Sequence, residues 1–193
     1  MPLDTCRFCA AARTKRADTF AFADWSEDDI AKFEAHWPSG TRQRLAMYLA
    51  LYTGQRRSDI VRMGKQHMRG QRIEVRQQKT GARLLLPIHP KLKAELAKAK
   101  GDHLTFIVTE CGASFSVAGF GGWFSNAARA AGLADRSLHG LRKSAARRLA
   151  EAGCSVKQIA AVTGHASLRE VERYTLAADQ ERLARDAVAK LKQ

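Results

Sequence analysis

The stretch from Leu138 to Thr175, LHGLRKSAARRLAEAGCSVKQIAAVTGHASLREVERYT, carries its own helix punctuation and constrains the chain more than any other segment. His139 and Arg142 are three apart, so a helix puts both on one face, where they can grip one ligand. Ser155 with Gln158 has the spacing of a capping box and starts a second helix, which Gly164 is placed to end. His165 then falls in a turn. Ser167 with Glu170 repeats the capping-box spacing and opens a short helix carrying Tyr174 near its far end, nine positions beyond His165. The product is a helix, turn, helix array with His, Arg, His and Tyr at its joints.

The rest of the chain must supply a core for this array and a reason for its polar residues. With 193 residues it can bury one good core, which means one domain. Lys and Arg outnumber Asp and Glu by 33 to 19, a net charge of +14, and a surplus of that size points to a polyanionic partner, nucleic acid first. A membrane is the weaker candidate. The longest apolar run, Leu45 to Tyr52, falls far short of the roughly 20 residues a span requires, and the N-terminus has no signal-peptide core. Cys6 and Cys9 form a CxxC, but no second CxxC or paired His stands at ligand spacing, so free thiols in a reducing cytoplasm fit better than zinc.

Residues 1–24 lack helical periodicity and read as a basic tail or linker; 25–193 is the folded domain. Ser26 followed by Glu27, Asp28 and Asp29 starts a helix that Pro38, Ser39 and Gly40 stop. A second helix spans about Thr41 to Tyr52, with Leu45, Tyr48, Leu49 and Tyr52 at core spacing. After Gly54, a short helix through Asp59, Ile60 and Met63 is expected to end at Gly64. Arg72 to Gln77 alternates as a strand, and Leu84, Leu86 and Ile88 supply its partner. Between them QKTGAR makes a hairpin turn in which Gly81 takes a positive φ, so Lys79 sits near the tip. Pro90 to Lys100 is helical, and Thr105 to Val108 is a short strand. Gly112, Gly119, Gly121 and Gly122 mark a loop before a helix from Trp123 to Ala131, and Leu176, Leu183, Val188 and Leu191 stripe a last helix beyond Tyr174. No GxGxxG or Walker box is present, so no nucleotide triphosphate site is expected.

H-x-x-R at His139 and Arg142, G-H at Gly164 and His165, and the tyrosine nine residues later resemble the C-terminal signature of the tyrosine recombinases, the phage-integrase family. Two upstream boxes agree. T-G-Q-R ahead of a short acidic helix resembles the family's first arginine box and makes Arg56 the phosphate-binding arginine, with Arg57 an ordinary surface residue. K-T-G at the hairpin resembles the family's β-hairpin lysine, which reaches the DNA backbone beside the cleavage point. The resemblance implies a catalytic domain of α+β class, mainly helical, with one small antiparallel sheet. The additional N-terminal core-binding domain usual in the family is not visible in this chain.

Phosphodiester cleavage by a side-chain hydroxyl needs a nucleophile, positive charge on the non-bridging oxygens and a proton for the leaving oxygen. Arg56 and Arg142 offer planar, permanently charged forks for phosphate, and His139 and His165 can donate hydrogen bonds or move protons near neutral pH. No acidic cluster of metal-binding type accompanies them. The resemblance implies the roles: Tyr174 attacks the phosphate and forms a 3′-phosphotyrosyl bond, Lys79 protonates the 5′-oxygen, His139 assists at the tyrosine, and His165 bonds the phosphate. It also implies no metal or ATP, double-stranded DNA as partner, a homo-oligomer joined through the C-terminal helix, an accessory DNA-bending protein, and a cytoplasmic, nucleoid-associated setting. The alternatives are a type IB topoisomerase-like nicking and resealing enzyme, or a non-catalytic DNA-binding protein that kept the fold.

Overall fold

The structure, a computed structural model, describes residues 23–99, 101 and 103–191, so the expected tail lies outside the described residues up to residue 22. Helix α1 (Glu27–His36) opens on a reciprocal cap: the Ser26 hydroxyl accepts from the Asp29 amide while the Asp29 carboxylate accepts from the Ser26 amide. Just ahead of it Trp25 is driven into the core by size and fixed there by polarity. Its ring meets Phe33 and Phe124 with centroids 5.4 and 6.0 Å away, its backbone amide donates to Ser144 Oγ at 2.7 Å, and its indole N–H donates to the Ser137 carbonyl at 3.0 Å. The segment before α1 is thereby pinned to the helix that carries His139 and Arg142.

Helix α2 (Arg42–Thr53) is the hub. A one-faced helix was the expectation, yet every residue from Leu45 to Leu51 is buried, because α4, α5 and α6 pack around it. Tyr48 and Tyr52 are structural aromatics as expected. The Tyr48 hydroxyl donates to Glu34 at 2.9 Å, and burial followed by that contact pushes its pKa up to about 12. Tyr52 stacks on His89.

The short helix α3 (Arg57–Ile60) stops four residues before Gly64. The amides of Arg62 and Met63 donate three residues back, to the carbonyls of Asp59 and Ile60, and the Met63 carbonyl accepts from the Phe106 amide at 2.8 Å. Thr105 to Val108 is no regular strand: among the described residues it contributes only a single bridge, Val108 to Ser114. The sheet is antiparallel in the order β1 (Met68–Arg69), β2 (Arg72–Arg76), β3 (Arg83–Pro87), with Ile73 opposite Leu86 and Val75 opposite Leu84. Strand β1 was not anticipated, being too short to show alternation.

Helix α4 (Pro90–Lys98) has Pro90 in its first turn. Helix α5 (Val117–Ala130) begins six residues earlier than expected and runs through Gly119, Gly121 and Gly122. Ser116 caps it and the buried pair Phe120 and Phe124, one turn apart, anchors it, which outweighs the roughly 1 kcal/mol that each interior glycine forfeits against alanine. Helix α6 (Leu138–Glu151) follows Ser137, and α7 (Val156–Thr163) has the expected Ser155–Gln158 capping box and the left-handed Gly164 stop. Helix α8 (Leu168–Lys190) is one continuous helix: Tyr174 lies in its second turn, not at the end of a short one. A small second core of Ala146, Ala150, Ile159 and Val171 joins α6, α7 and α8, and Tyr174 packs against it.

Candidate active site

Helix α6 puts His139 and Arg142 on one side, as their spacing required. Arg142 is only 4% exposed; its Nη1 donates to the carbonyls of Gly54 at 2.5 Å and Thr163 at 2.9 Å. Its Nη2 is buried and has no hydrogen-bond partner among the described residues. A buried donor left unsatisfied costs about 1–3 kcal/mol, more when charged, so this guanidinium is arranged to receive an acceptor from outside. Burial, and after it the neighbouring Arg56 charge, draws its pKa down to about 10, which still leaves it cationic at neutral pH.

Arg56 stands in the N-cap position of α3, where extended backbone turns its side chain out of the helix. Its Nη1 donates to Gln77 Oε1 at 3.1 Å. Gln77, which sequence reasoning passed over as a strand end, is buried and also receives the Thr80 hydroxyl at 2.7 Å. The same amide donates to Gln55 Oε1 at 2.7 Å and to the Thr163 carbonyl at 2.8 Å. The signal available was a polar residue continuing the buried face of Ile73 and Val75.

His165 occupies the turn after Gly164 with its side chain 3% exposed. The Thr163 hydroxyl donates to the Ile159 carbonyl at 2.7 Å and so accepts from His165 Nδ1 at 2.6 Å. On the other edge of the ring, Nε2 lies 3.5 Å from Glu170 Oε1. The second expected capping box is therefore absent: Ser167 makes no side-chain cap bond, because Glu170 turns to the buried imidazole. Burial first, then Arg142, depresses the His165 pKa to about 4. His139, largely exposed, sits below the ordinary imidazole value through loss of solvation and then the charges of Lys143 and Arg142. Tyr174 is half-buried and near enough to contribute to the field at Arg142.

Arg56, His139 and Arg142 line a single cleft of about 540 Å³ between α3, α5 and α6. Lys79 is not in its wall; it is exposed on the hairpin turn, with Gly81 at φ +71° as expected. Arg57, read as an ordinary surface residue, is exposed. It lines the same cleft, lying so close along α5 that a Cβ at Gly121 would fall 2.2 Å from its Nη1, and no carboxylate among the described residues pairs with it. Among those residues no group of three or more His, Cys, Asp or Glu side chains could hold a metal ion, and no helix is long and apolar enough to cross a membrane.

The family model described as the phage integrase family matches residues 26–181. The chain belongs to that family. Among solved structures, the DNA-bound lambda integrase fragment 75–356 is 27% identical, with a TM-score of 0.68 over 79% of this chain and 59% of its own. The lambda integrase catalytic core is 28% identical, with a TM-score of 0.63 over 74% of this chain and 91% of that one. XerA recombinase, 19% identical with a TM-score of 0.73 over 85% of this chain and 65% of its own, shares the fold. This integrase-family chain thus spans 59% and 47% of the two DNA-bound lambda integrase chains it matches first, and most of the isolated catalytic core. No curated protein sequence matches it.

Proposed function

We propose that this chain is the catalytic domain of a site-specific DNA recombinase that cuts and rejoins strands through a 3′-phosphotyrosyl intermediate. The observation that carries the reading is the buried Arg142 guanidinium, with one nitrogen unsatisfied, in a cleft shared with Arg56 and His139. Two arginines on one small anion suit the charge that builds on a phosphate in displacement. The Tyr174 oxygen attacks phosphorus, and the 5′-oxygen leaves with a proton from Lys79. His139 takes up the tyrosine proton, and His165, protonated at Nε2 once the phosphate is beside it, hydrogen-bonds the phosphate. Rejoining runs the same path backwards from a 5′-hydroxyl, so bond energy is conserved without ATP or metal.

The lambda integrase structures are described as a dimer on a core site and a tetramer on a Holliday junction. By analogy, duplex DNA is the partner here and the active form is a homo-oligomer on DNA. Helix α8 beyond Tyr174, with Leu176, Val188 and Leu191 exposed, engages a neighbouring copy, and an accessory DNA-bending protein aids assembly. The setting is the cytoplasm, at the nucleoid. Residues 1–24, outside the folded domain, are read as a basic tail or linker.

The test is covalent trapping. The chain is incubated without metal with DNA from around its own gene, denatured, and run beside Tyr174→Phe. A protein–DNA adduct in wild type that vanishes in the variant is expected. Specific DNA binding with no adduct would move the assignment to a non-catalytic DNA-binding protein, and strand exchange between two duplexes separates recombinase from topoisomerase.

A further inference from the structure

The alternation of β2 reserves position 77 for an apolar residue, since Ile73 and Val75 share that face and are buried; Gln77 is equally buried, at 1% exposure. A primary amide there is costly unless every polar valence is met. Here all are: Oε1 accepts from Arg56 Nη1 and from the Thr80 hydroxyl, and Nε2 donates to Gln55 Oε1 and to the Thr163 carbonyl. The chemistry fixes which way the amide faces, because a guanidinium only donates and a carbonyl only accepts. Each bond leads to a different part of the site. Gln55 precedes Arg56, Thr80 follows Lys79, and the Thr163 carbonyl also holds Arg142. Gly164 is required beside it, since a Cβ there would fall 2.3 Å from Gln77 Nε2.

We propose that Gln77 is a positioning residue that sets the Lys79 turn and the Arg56–Arg142 clamp against each other through one neutral amide. The proposal rests on the reading of Lys79 as general acid and Arg56 as phosphate ligand. Neutrality is part of it. A carboxylate in place of the amide would pair with Arg56 and cancel the charge meant for phosphate, and would face two acceptors, the Thr163 carbonyl and Gln55 Oε1. The amide therefore orients Arg56 without neutralising it. The Thr80 hydroxyl ties the residue beside Lys79 to the same oxygen.

Two substrates read the two arms separately: an ordinary scissile phosphodiester, and one in which the 5′-bridging oxygen is sulfur, whose thiolate leaves without a proton. Single-turnover cleavage is compared for wild type, Lys79→Ala, Thr80→Val and Gln77→Leu, with DNA affinity and thermal melting measured alongside. Lys79→Ala should be slow on oxygen and restored on sulfur. Thr80→Val, an exposed change that loses the tie to Gln77 together with the longer bond, at 3.4 Å, that the hydroxyl accepts from the Ala82 amide, should be about tenfold slow on oxygen and near wild type on sulfur. Gln77→Leu should be slowed by about 10² on oxygen and keep about a tenfold defect on sulfur, the part that acts through Arg56. Wild-type cleavage of the oxygen substrate by Thr80→Val, while Lys79→Ala is rescued by sulfur, overturns the proposal alone. Failure of sulfur to rescue Lys79→Ala overturns the acid assignment beneath it. Should Gln77→Leu prove unfolded, Thr80→Val still decides.

Discussion

Arg142 and Gln77 donate to the same acceptor, the carbonyl oxygen of Thr163, at 2.9 and 2.8 Å. That carbonyl closes helix α7 just before the His165 turn, so both lone pairs of one peptide oxygen are used to hold an arginine, a strand end and a histidine turn in register. The next residue must leave room for them.

Gly164→Ala should therefore damage the site beyond its effect on folding. The position has φ +68°, and the added carbon would lie 2.3 Å from Gln77 Nε2 and 2.8 Å from Leu84 Cδ1. Backbone strain and overpacking together should remove about 2–4 kcal/mol of stability. Thermal melting reads that loss, and adduct formation at a temperature where the variant remains folded should still fall at least tenfold, as an order of magnitude for a misplaced clamp.

Arg142→Lys should keep a charge and lose the geometry. A lysine cannot reach the Gly54 and Thr163 carbonyls and also present a second nitrogen to phosphate from one plane. Adduct formation should drop by about 10²–10³, the range for losing one preorganised oxyanion donor. Rates within a few-fold of wild type would mean that Arg142 is a structural cation.

His165 predicts a pH dependence of stability. Its pKa is about 4 in the folded chain against the ordinary imidazole value of 6.5, so between these values the unfolded chain binds a proton that the native chain does not. Stability contributed at this site is full above pH 6.5 and declines as pH falls towards 4. Denaturant titrations at several pH values should show that decline, and His165→Asn should flatten it. A bound phosphate reverses part of the field at the ring and favours the proton on Nε2, so DNA binding at mildly acidic pH should take up protons, measurable by calorimetry in two buffers.

Gly140, inside the H-x-x-R motif, is where the segment before α1 crosses α6. A Cβ there would meet the Ala23 carbonyl at 2.4 Å and the Trp25 ring at 3.1 Å. Gly140→Ala should cost about 1–3 kcal/mol, or several degrees in melting temperature for a domain of this size, despite alanine's better helix propensity. A stabilised variant would show that this crossing is loose.

Arg57→Gln tests the third arginine of the cleft. If it contacts a phosphate, DNA affinity should fall at low salt, and the slope of log affinity against log salt should shrink by about one. An unchanged slope would return Arg57 to the plain surface.

Much of the molecule was legible because its signals are local. Ser26, Ser155 and Gly164 mark helix ends through bonds and φ values that involve only their neighbours, and Ile73 with Val75 marks a strand through alternation alone. The order and spacing of Arg56, Lys79, His139, Arg142, His165 and Tyr174 were likewise enough to identify the family. Several readings failed where a partner outside the local pattern overrode a local rule. Glu170 turned to His165 instead of capping Ser167, and the glycines of 119–122 joined a helix because Phe120 and Phe124 anchor it and Arg57 lies against Gly121. Residue types, their periodicity and the helix ends were determined by sequence, since those energies act within a turn or two. Tertiary structure alone decided that Gln77 would be the shared hydrogen-bond partner of Arg56 and the Thr163 carbonyl and that Arg142 would be buried with one nitrogen unsatisfied among the described residues, because desolvation and hydrogen bonding there depend on groups 21 to 88 residues away along the chain.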